Sequence, residues 1–205
     1  MADALLRHWV PATILLVGFT RAELLSFQDA TVPDLVVPPV KLVFVGINPG
    51  LWTAATQTHF SYPGNRFYPA LRRGGVIDWE ISISPSNGMT EEDRDRLTQR
   101  GLGISNVAHR ATAKASELST EELRSGAADL SRRIESWQPM VVAIAGITAY
   151  RTGFRKPKAV MGLQEETIGD VELWVVPNPS GLNAHESVDS LAKWYRTAAQ
   201  AAGII

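Results

Sequence analysis

Two stretches of this chain end in turns rich in glycine, proline and asparagine, and each turn carries side chains suited to chemistry. The run Lys41-Leu42-Val43-Phe44-Val45 breaks into Gly46-Ile47-Asn48-Pro49-Gly50. A buried strand that stops at a glycine-bracketed turn presents the turn's one amide, with exposed backbone N–H groups, to a ligand at the carboxyl edge of a sheet. Asn48 is therefore the first site candidate. An amide does not titrate, so Asn48 cannot serve as a strong general base. Further along, Leu173-Trp174-Val175-Val176 breaks into Pro177-Asn178-Pro179-Ser180-Gly181-Leu182-Asn183. The two breaks converge if their strands lie side by side in one parallel sheet.

Other chemistries are excluded by what the chain lacks. There is no cysteine, which removes disulfides, thiolate metal sites, iron–sulfur clusters and cysteine nucleophiles. His8, His59, His109 and His185 lie far apart, and no pair sets two ring nitrogens on one helix face, so no metal is expected. Ser180 lacks a Gly-x-Ser-x-Gly elbow and an ordered acid and histidine partner, which argues against a serine hydrolase. The net charge is −1, so any nucleic-acid binding must rest on a local basic patch. Arg151, Arg155, Lys156 and Lys158 form such a run, with no acidic residue between Glu135 and Glu165.

The elements that must position these residues follow from capping and periodicity. Thr20 and Glu23 form a capping box ahead of Leu24 and Leu25. Pro33, Pro38 and Pro39 make Asp29 to Val40 an extended lead-in to the first strand. Leu51 to Pro63 reads as a long polar and aromatic loop, of the kind that is more often functional than idle. Asn65 begins a helix carrying Phe67, Leu71, Arg72 and Arg73, and Thr90 to Gln99 is a charged, solvated helix expected to stay away from nucleic acid. Leu102 to Val107 is a short buried strand. Ser119 and Glu122 cap a helix whose Leu123, Ala127, Leu130, Ile134 and Trp137 recur at spacings of four and three, until Pro139 stops it. Val141 to Ala145 has the pattern of a strand covered on both faces. Glu166 to Val176 is a hairpin turning at Gly169-Asp170, and Val188, Leu191, Tyr195, Ala198 and Ala202 mark a final helix. Strands alternating with helices predict an α/β fold, a three-layer α/β/α sandwich around a mainly parallel sheet. Residues 1–19 are expected to form a poorly ordered N-terminal extension and 20–205 one domain. The apolar segment Val10 to Phe19 is interrupted by Pro11 and is too short to span a bilayer, so a cytoplasmic protein without membrane attachment is expected.

Gly46 to Leu51, Phe60 with Pro63-Gly64-Asn65-Arg66-Phe67, and Asn178-Pro179-Ser180-Gly181-Leu182 together resemble, in order and spacing, the mismatch-specific uracil/thymine-DNA glycosylases, family 2 of the uracil-DNA glycosylase superfamily. The resemblance runs from about Thr20 to the C-terminus. It implies a monofunctional enzyme that hydrolyses the glycosidic bond of uracil, with thymine or other damaged pyrimidines as further bases, in mismatched double-stranded DNA whose target base is flipped out. It further implies no cofactor and no Schiff-base lysine, and a monomer is expected. By the same resemblance Asn48 orients the attacking water, Ser105 supplies a hydroxyl near it, and backbone N–H groups near Ile47 and Gly50 lie against the base. Phe60 stacks on the base, His59 contacts the base or a water, and Thr53 and Asn106 line the pocket. Asn178, Ser180, Gly181, Leu182 and Asn183 form the segment that enters the duplex, with Leu182 as its wedge. The better known relatives carry an arginine two residues after the wedge; here Ala184 stands in that place, which implies either weaker recognition of the opposite guanine or His185 as its substitute contact. Lys156 and Lys158 are expected at the DNA backbone. The rivals are a non-catalytic DNA-damage binder and an enzyme of nucleoside or nucleotide metabolism.

Overall fold

The computed structural model describes residues 18–205. In chain order the elements are α1 (Arg21–Leu25), β1 (Leu42–Gly46), α2 (Leu51–Thr56), α3 (Phe67–Arg73), α4 (Glu91–Gln99), β2 (Leu102–Asn106), a 3-10 turn (Ala115–Glu117), α5 (Thr120–Trp137), β3 (Val141–Ala145), α6 (Ile147–Gly153), β4 (Gly162–Ile168), β5 (Val171–Val176) and α7 (Val188–Ala201). The strands form one sheet in the order β2-β1-β3-β5-β4. Every pairing is parallel except that of β4 with β5.

Alternation along the strands builds the two outer layers. Leu42 and Phe44 of β1 face a core shared with Phe67 and Leu71 of α3, Leu97 of α4, and Leu191, Tyr195 and Ala198 of α7. Val43 and Val45 face the opposite core with Ala127, Leu130 and Ile134 of α5 and Tyr150 of α6. The period of two thus gives each strand one side chain for each layer, and the expected α/β/α sandwich is what forms. Among the described residues no helix is long and apolar enough to cross a membrane.

Several element boundaries differ from the sequence reading, each for a local reason. Leu51 to Pro63 is not all loop, because α2 occupies Leu51–Thr56 and ends on Gln57 in the left-handed region. The α3 helix starts at Phe67, two residues later than expected, and the Asn65 side chain accepts from the Phe67 N–H at 2.9 Å. Seven-residue α6 carries no readable period, and β4 begins four residues before Glu166. The reading of residues 1–19 lies almost wholly outside the described residues; Phe19 packs edge-on against Trp52 and Phe27, at 5.5 and 6.1 Å between ring centres.

The two breaks meet at the same edge of the sheet, although their strands are not neighbours. β3 lies between β1 and β5, and it ends at Gly146, whose N–H donates to the Val176 carbonyl at 2.9 Å. Gly146 sits at φ 129°, and a Cβ there would lie 3.3 Å from the Ile47 side chain and 4.0 Å from that of Asn178. A glycine end on the intervening strand leaves the gap across which the turns approach.

Candidate active site at the carboxyl edge of the sheet

The Asn48 turn is stitched to the segment that follows β2. Val107 and Ala108 donate to the carbonyls of Gly46 and Ile47, each at 2.9 Å, and Thr112 donates to that of Pro49 at 3.1 Å. The Asn48 Nδ2 donates toward the carbonyls of Arg110 (2.9 Å) and Pro49 (3.2 Å) and the hydroxyl of Thr112 (2.7 Å). That hydroxyl spends its own proton on the Lys114 carbonyl at 2.9 Å. All three partners therefore act as acceptors, which fixes the amide with nitrogen inward. Among the described residues Asn48 Oδ1 accepts from no protein donor, and it is not a buried atom left without a partner, as Arg94 Nε and the Tyr195 hydroxyl are. Asn48 is one of the residues that line the cavity. Arg110 is itself held by Glu122 at 2.7 Å and Asp29 at 2.8 Å, and the guanidinium pulls the Glu122 carboxyl down to about 2.

A second amide stands one strand away. Asn106 ends β2 in register with Gly46, and a Cβ on Gly46 would come within 2.5 Å of Asn106 Oδ1 and 3.3 Å of the Phe60 ring. Only glycine leaves this floor open. Phe60 holds a left-handed backbone at φ 56°, a conformation that a bulky residue keeps only when its surroundings enforce it. One face of its ring stacks on Phe67 at 4.1 Å between centres, and the ring lines the cavity. Behind Asn106 lies His59, fully buried, its Nε2 3.0 Å from the Pro33 carbonyl and its Nδ1 3.1 Å from Asn106 Nδ2. Burial pushes the His59 pKa below its ordinary value, against the opposing pull of the Pro33 carbonyl.

The turn after β5 is folded by its own polar groups into a hook. Asn178 Oδ1 accepts from the Ser180 N–H at 2.9 Å, Ser180 Oγ from the Leu182 N–H at 3.3 Å, and the Asn183 amide donates to the Asn178 carbonyl at 3.1 Å. Arg66, at the start of α3, donates to the carbonyls of Glu186 (2.8 Å), Asn183 (2.9 Å) and Gly181 (3.2 Å), and its own N–H bonds the Pro179 carbonyl. A Cβ on Gly181 would stand 2.8 Å from the Gly64 carbonyl, so the hook lies directly against the Pro63–Asn65 turn. Leu182 at its tip is 84% exposed.

These parts enclose a cavity of about 400 Å³, within the roughly 300–1,000 Å³ of small-molecule sites. Ile47, Asn48, Gly50, Thr53, Phe60, Asn106, Asn178, Ser180 and Leu182 all line it, and so do Tyr62, Thr112 and Lys114. Among the described residues Lys114 is the one charged residue of the wall. With no carboxylate there among the described residues, the arrangement these residues form can orient water and hold a flat polar ring, but it does not supply the pair of carboxylates that two-carboxylate acid–base chemistry needs. Among the described residues no cluster of three or more His, Asp or Glu could hold a metal.

Other expected residues lie elsewhere. Ser105 precedes Asn106 in the strand and so faces the opposite layer; its hydroxyl donates to Asp34 at 2.7 Å and receives Arg133 at 2.6 Å. His59 does not line the cavity and touches it only through Asn106. Gly181, Asn183 and the exposed His185 belong to the hook and its exit and not to the wall. Lys156 is ion-paired with Glu166, and with Lys158 it borders a separate depression beside β4. Sequence reasoning passed over Arg66, Thr112 and Lys114. Arg66 stands inside the Gly64-Asn65-Arg66-Phe67 motif and was visible; Thr112 and Lys114 sit in polar stretches where nothing distinguishes an inward side chain from a solvated one.

Residues 33–201 match the family model described as the uracil DNA glycosylase superfamily. The solution NMR structure of a candidate uracil DNA glycosylase from Methanosarcina acetivorans is similar, with a TM-score of 0.58 and 18% identity over 83% of this chain and 96% of that one. At that identity the likeness speaks for the fold alone.

Proposed function

The chain belongs to the uracil DNA glycosylase superfamily, and on that premise we propose that it is a monofunctional DNA glycosylase hydrolysing the bond between uracil and deoxyribose in mismatched duplex DNA. Membership of the mismatch-specific uracil/thymine branch, thymine as a further base, base flipping, a single 20–205 domain, a monomeric state and a cytoplasmic location are parts of the same proposal. One juxtaposition carries the reading: Asn48, whose Oδ1 has no donor among the described residues, and the exposed Leu182 line the same cavity, which at about 400 Å³ has room for a pyrimidine.

Extruding a nucleotide costs a few kcal/mol, offset as Leu182 fills the vacated stack and as the base stacks on the free face of Phe60, worth roughly 1–3 kcal/mol. Asn106 meets the pyrimidine edge, its remaining N–H donating to O4 and its Oδ1 accepting from N3–H. A water hydrogen-bonded to Asn48 Oδ1 is held against C1′. As the C1′–N1 bond breaks, its electron pair leaves with the base and the sugar becomes oxocarbenium-like. The water oxygen bonds to C1′, its proton passes to solvent, and the base anion is protonated in turn. With no ionised acid in the wall, the rate depends on leaving-group quality and preorganised dipoles, which favours uracil over cytosine. Lys114 has the sign that suits both a DNA strand and a departing anion. Ala184 offers an opposite guanine only a methyl group, so the preference for G·U over A·U is expected to be smaller than where an arginine stands in that place.

The test is excision from a G·U duplex. Asn48→Ala is expected to slow base release by about 10²–10³-fold while duplex binding stays within about threefold. Undiminished release would overturn the assignment of Asn48, and binding by the parent protein without alkali-labile product would overturn the enzyme reading.

A further inference from the structure

We propose that His59 is a positioning residue that sets base choice, by fixing which way round the Asn106 amide faces the bound pyrimidine. The inference rests on the glycosylase reading and deepens it. The Pro33 carbonyl, 3.0 Å from His59 Nε2, can only accept, so Nε2 carries the ring proton. Nδ1 is then a bare lone pair, and the group 3.1 Å from it must be a donor, the Asn106 Nδ2. The two hydrogens of an amide nitrogen point apart. One is spent on His59, and the other stays beside Oδ1 to form a donor–acceptor pair at the cavity.

That pair fits the O4 and N3–H of uracil or thymine. Cytosine presents the opposite pattern, an amino donor and a ring-nitrogen acceptor, and would need the amide turned over. Turning it sets Oδ1 against the Nδ1 lone pair, two acceptors face to face in a buried space. The backbone that carries the ring is held by the Tyr68 hydroxyl, which donates to the His59 carbonyl at 2.8 Å, and by Thr58, which accepts from Met89 N–H and Arg94, while burial and the Pro33 bond hold the ring itself. The chain Pro33–His59–Asn106 is thus a fixed reference of hydrogen-bond polarity running from a backbone carbonyl to the base.

The experiment separates recognition from leaving-group chemistry by measuring binding. Duplexes carry 2′-fluoro-deoxyuridine or 2′-fluoro-deoxycytidine opposite an abasic-site analogue, so neither base is paired and neither is excised. The parent is expected to prefer uracil, His59→Leu to lower the uracil-to-cytosine ratio by roughly tenfold or more, and His59→Asn, whose carbonyl oxygen can stand in for Nδ1, to keep it. An unchanged ratio in a folded His59→Leu protein overturns the proposal. Should that variant not fold, the ring ¹⁵N shifts of the parent decide: a protonated Nε2 with bare Nδ1 supports the proposal and the reverse tautomer overturns it. Failure of the glycosylase reading would show separately, as absence of uracil excision by the parent protein.

Discussion

At the scale of single residues, each of the two cavity amides is oriented by groups that offer only one hydrogen-bond polarity. Asn48 faces two carbonyls and an already committed hydroxyl; Asn106 faces one ring nitrogen. Orientation by elimination needs no charge, which suits a wall that has a single charged side chain among the described residues. His59 carries a consequence for stability. In the unfolded chain it takes up a proton near its ordinary 6.5, whereas burial holds it neutral in the fold to lower pH. As pH falls below about 6.5 the unfolded state therefore binds the extra proton, and stability declines by up to about 1.4 kcal/mol per pH unit until the lowered folded value is reached. Asp34 opposes that lowering, while Arg94 and His109 add to it. His59→Asn is expected to flatten this part of the curve, as measured by urea midpoints of variant and parent between pH 7.5 and 5; equal slopes would show that His59 does not titrate in this way. Asn48 was legible in the sequence because a turn signal fell at the end of an apolar run. The roles of His59 and Ser105 were not, since which face a side chain takes depends on strand parity and on a partner, Pro33, that is distant in sequence.

At the scale of elements, strand ends and their turns position the site, and α3 ties them together. Arg66 spans the carbonyls of Gly181, Asn183 and Glu186, so the hook's shape is set from outside the hook. Hydrogen bonds from a charged donor contribute about 1.5–3 kcal/mol each way of counting, and three carbonyls lose their partner together in Arg66→Ala. That variant is expected to lower excision from a G·U duplex about tenfold or more, yet change excision from single-stranded uracil DNA less than about threefold, because only the duplex requires a wedge. Equal losses on both substrates would show that Arg66 supports the cavity and not the hook. The long helix α5 and strands β1, β2 and β3 were readable because capping boxes and apolar runs are local signals. α2 and α6, of six and seven residues, were not. Helices that short are marginal by themselves and exist through tertiary packing, and α2 and α6 follow Gly50 and Gly146, which make no side-chain cap, whereas the equally short α1 and α3 announce themselves by Thr20 with Glu23 and by Asn65.

At the scale of the whole molecule, charge decides how a chain of net charge −1 approaches a polyanion. Many of its cations are already spent. Arg72 pairs with Glu80 at 2.9 Å, Arg73 with Asp189 at 2.6 Å, Arg132 with Asp129 at 2.9 Å, and Lys156 with Glu166. The basic run singled out in the sequence is thus partly neutralised by β4, the strand that follows it. Lys114 differs: among the described residues its ammonium has no carboxylate within ion-pair distance, and it is exposed at the wall that also holds Asn48. Each phosphate neutralised releases counterions and adds about 0.9 to the slope of log affinity against log salt. With Lys114 the one charged residue of the wall among the described residues, the slope for a short G·U duplex is expected to be no steeper than about −4, and Lys114→Ala should make it shallower by about one unit. Fluorescence anisotropy from 50 to 200 mM salt measures both. A slope unchanged in the variant would remove Lys114 from the phosphate contacts and leave its charge to act on the departing base, where it would lower the rate of release at saturating enzyme without altering how affinity responds to salt.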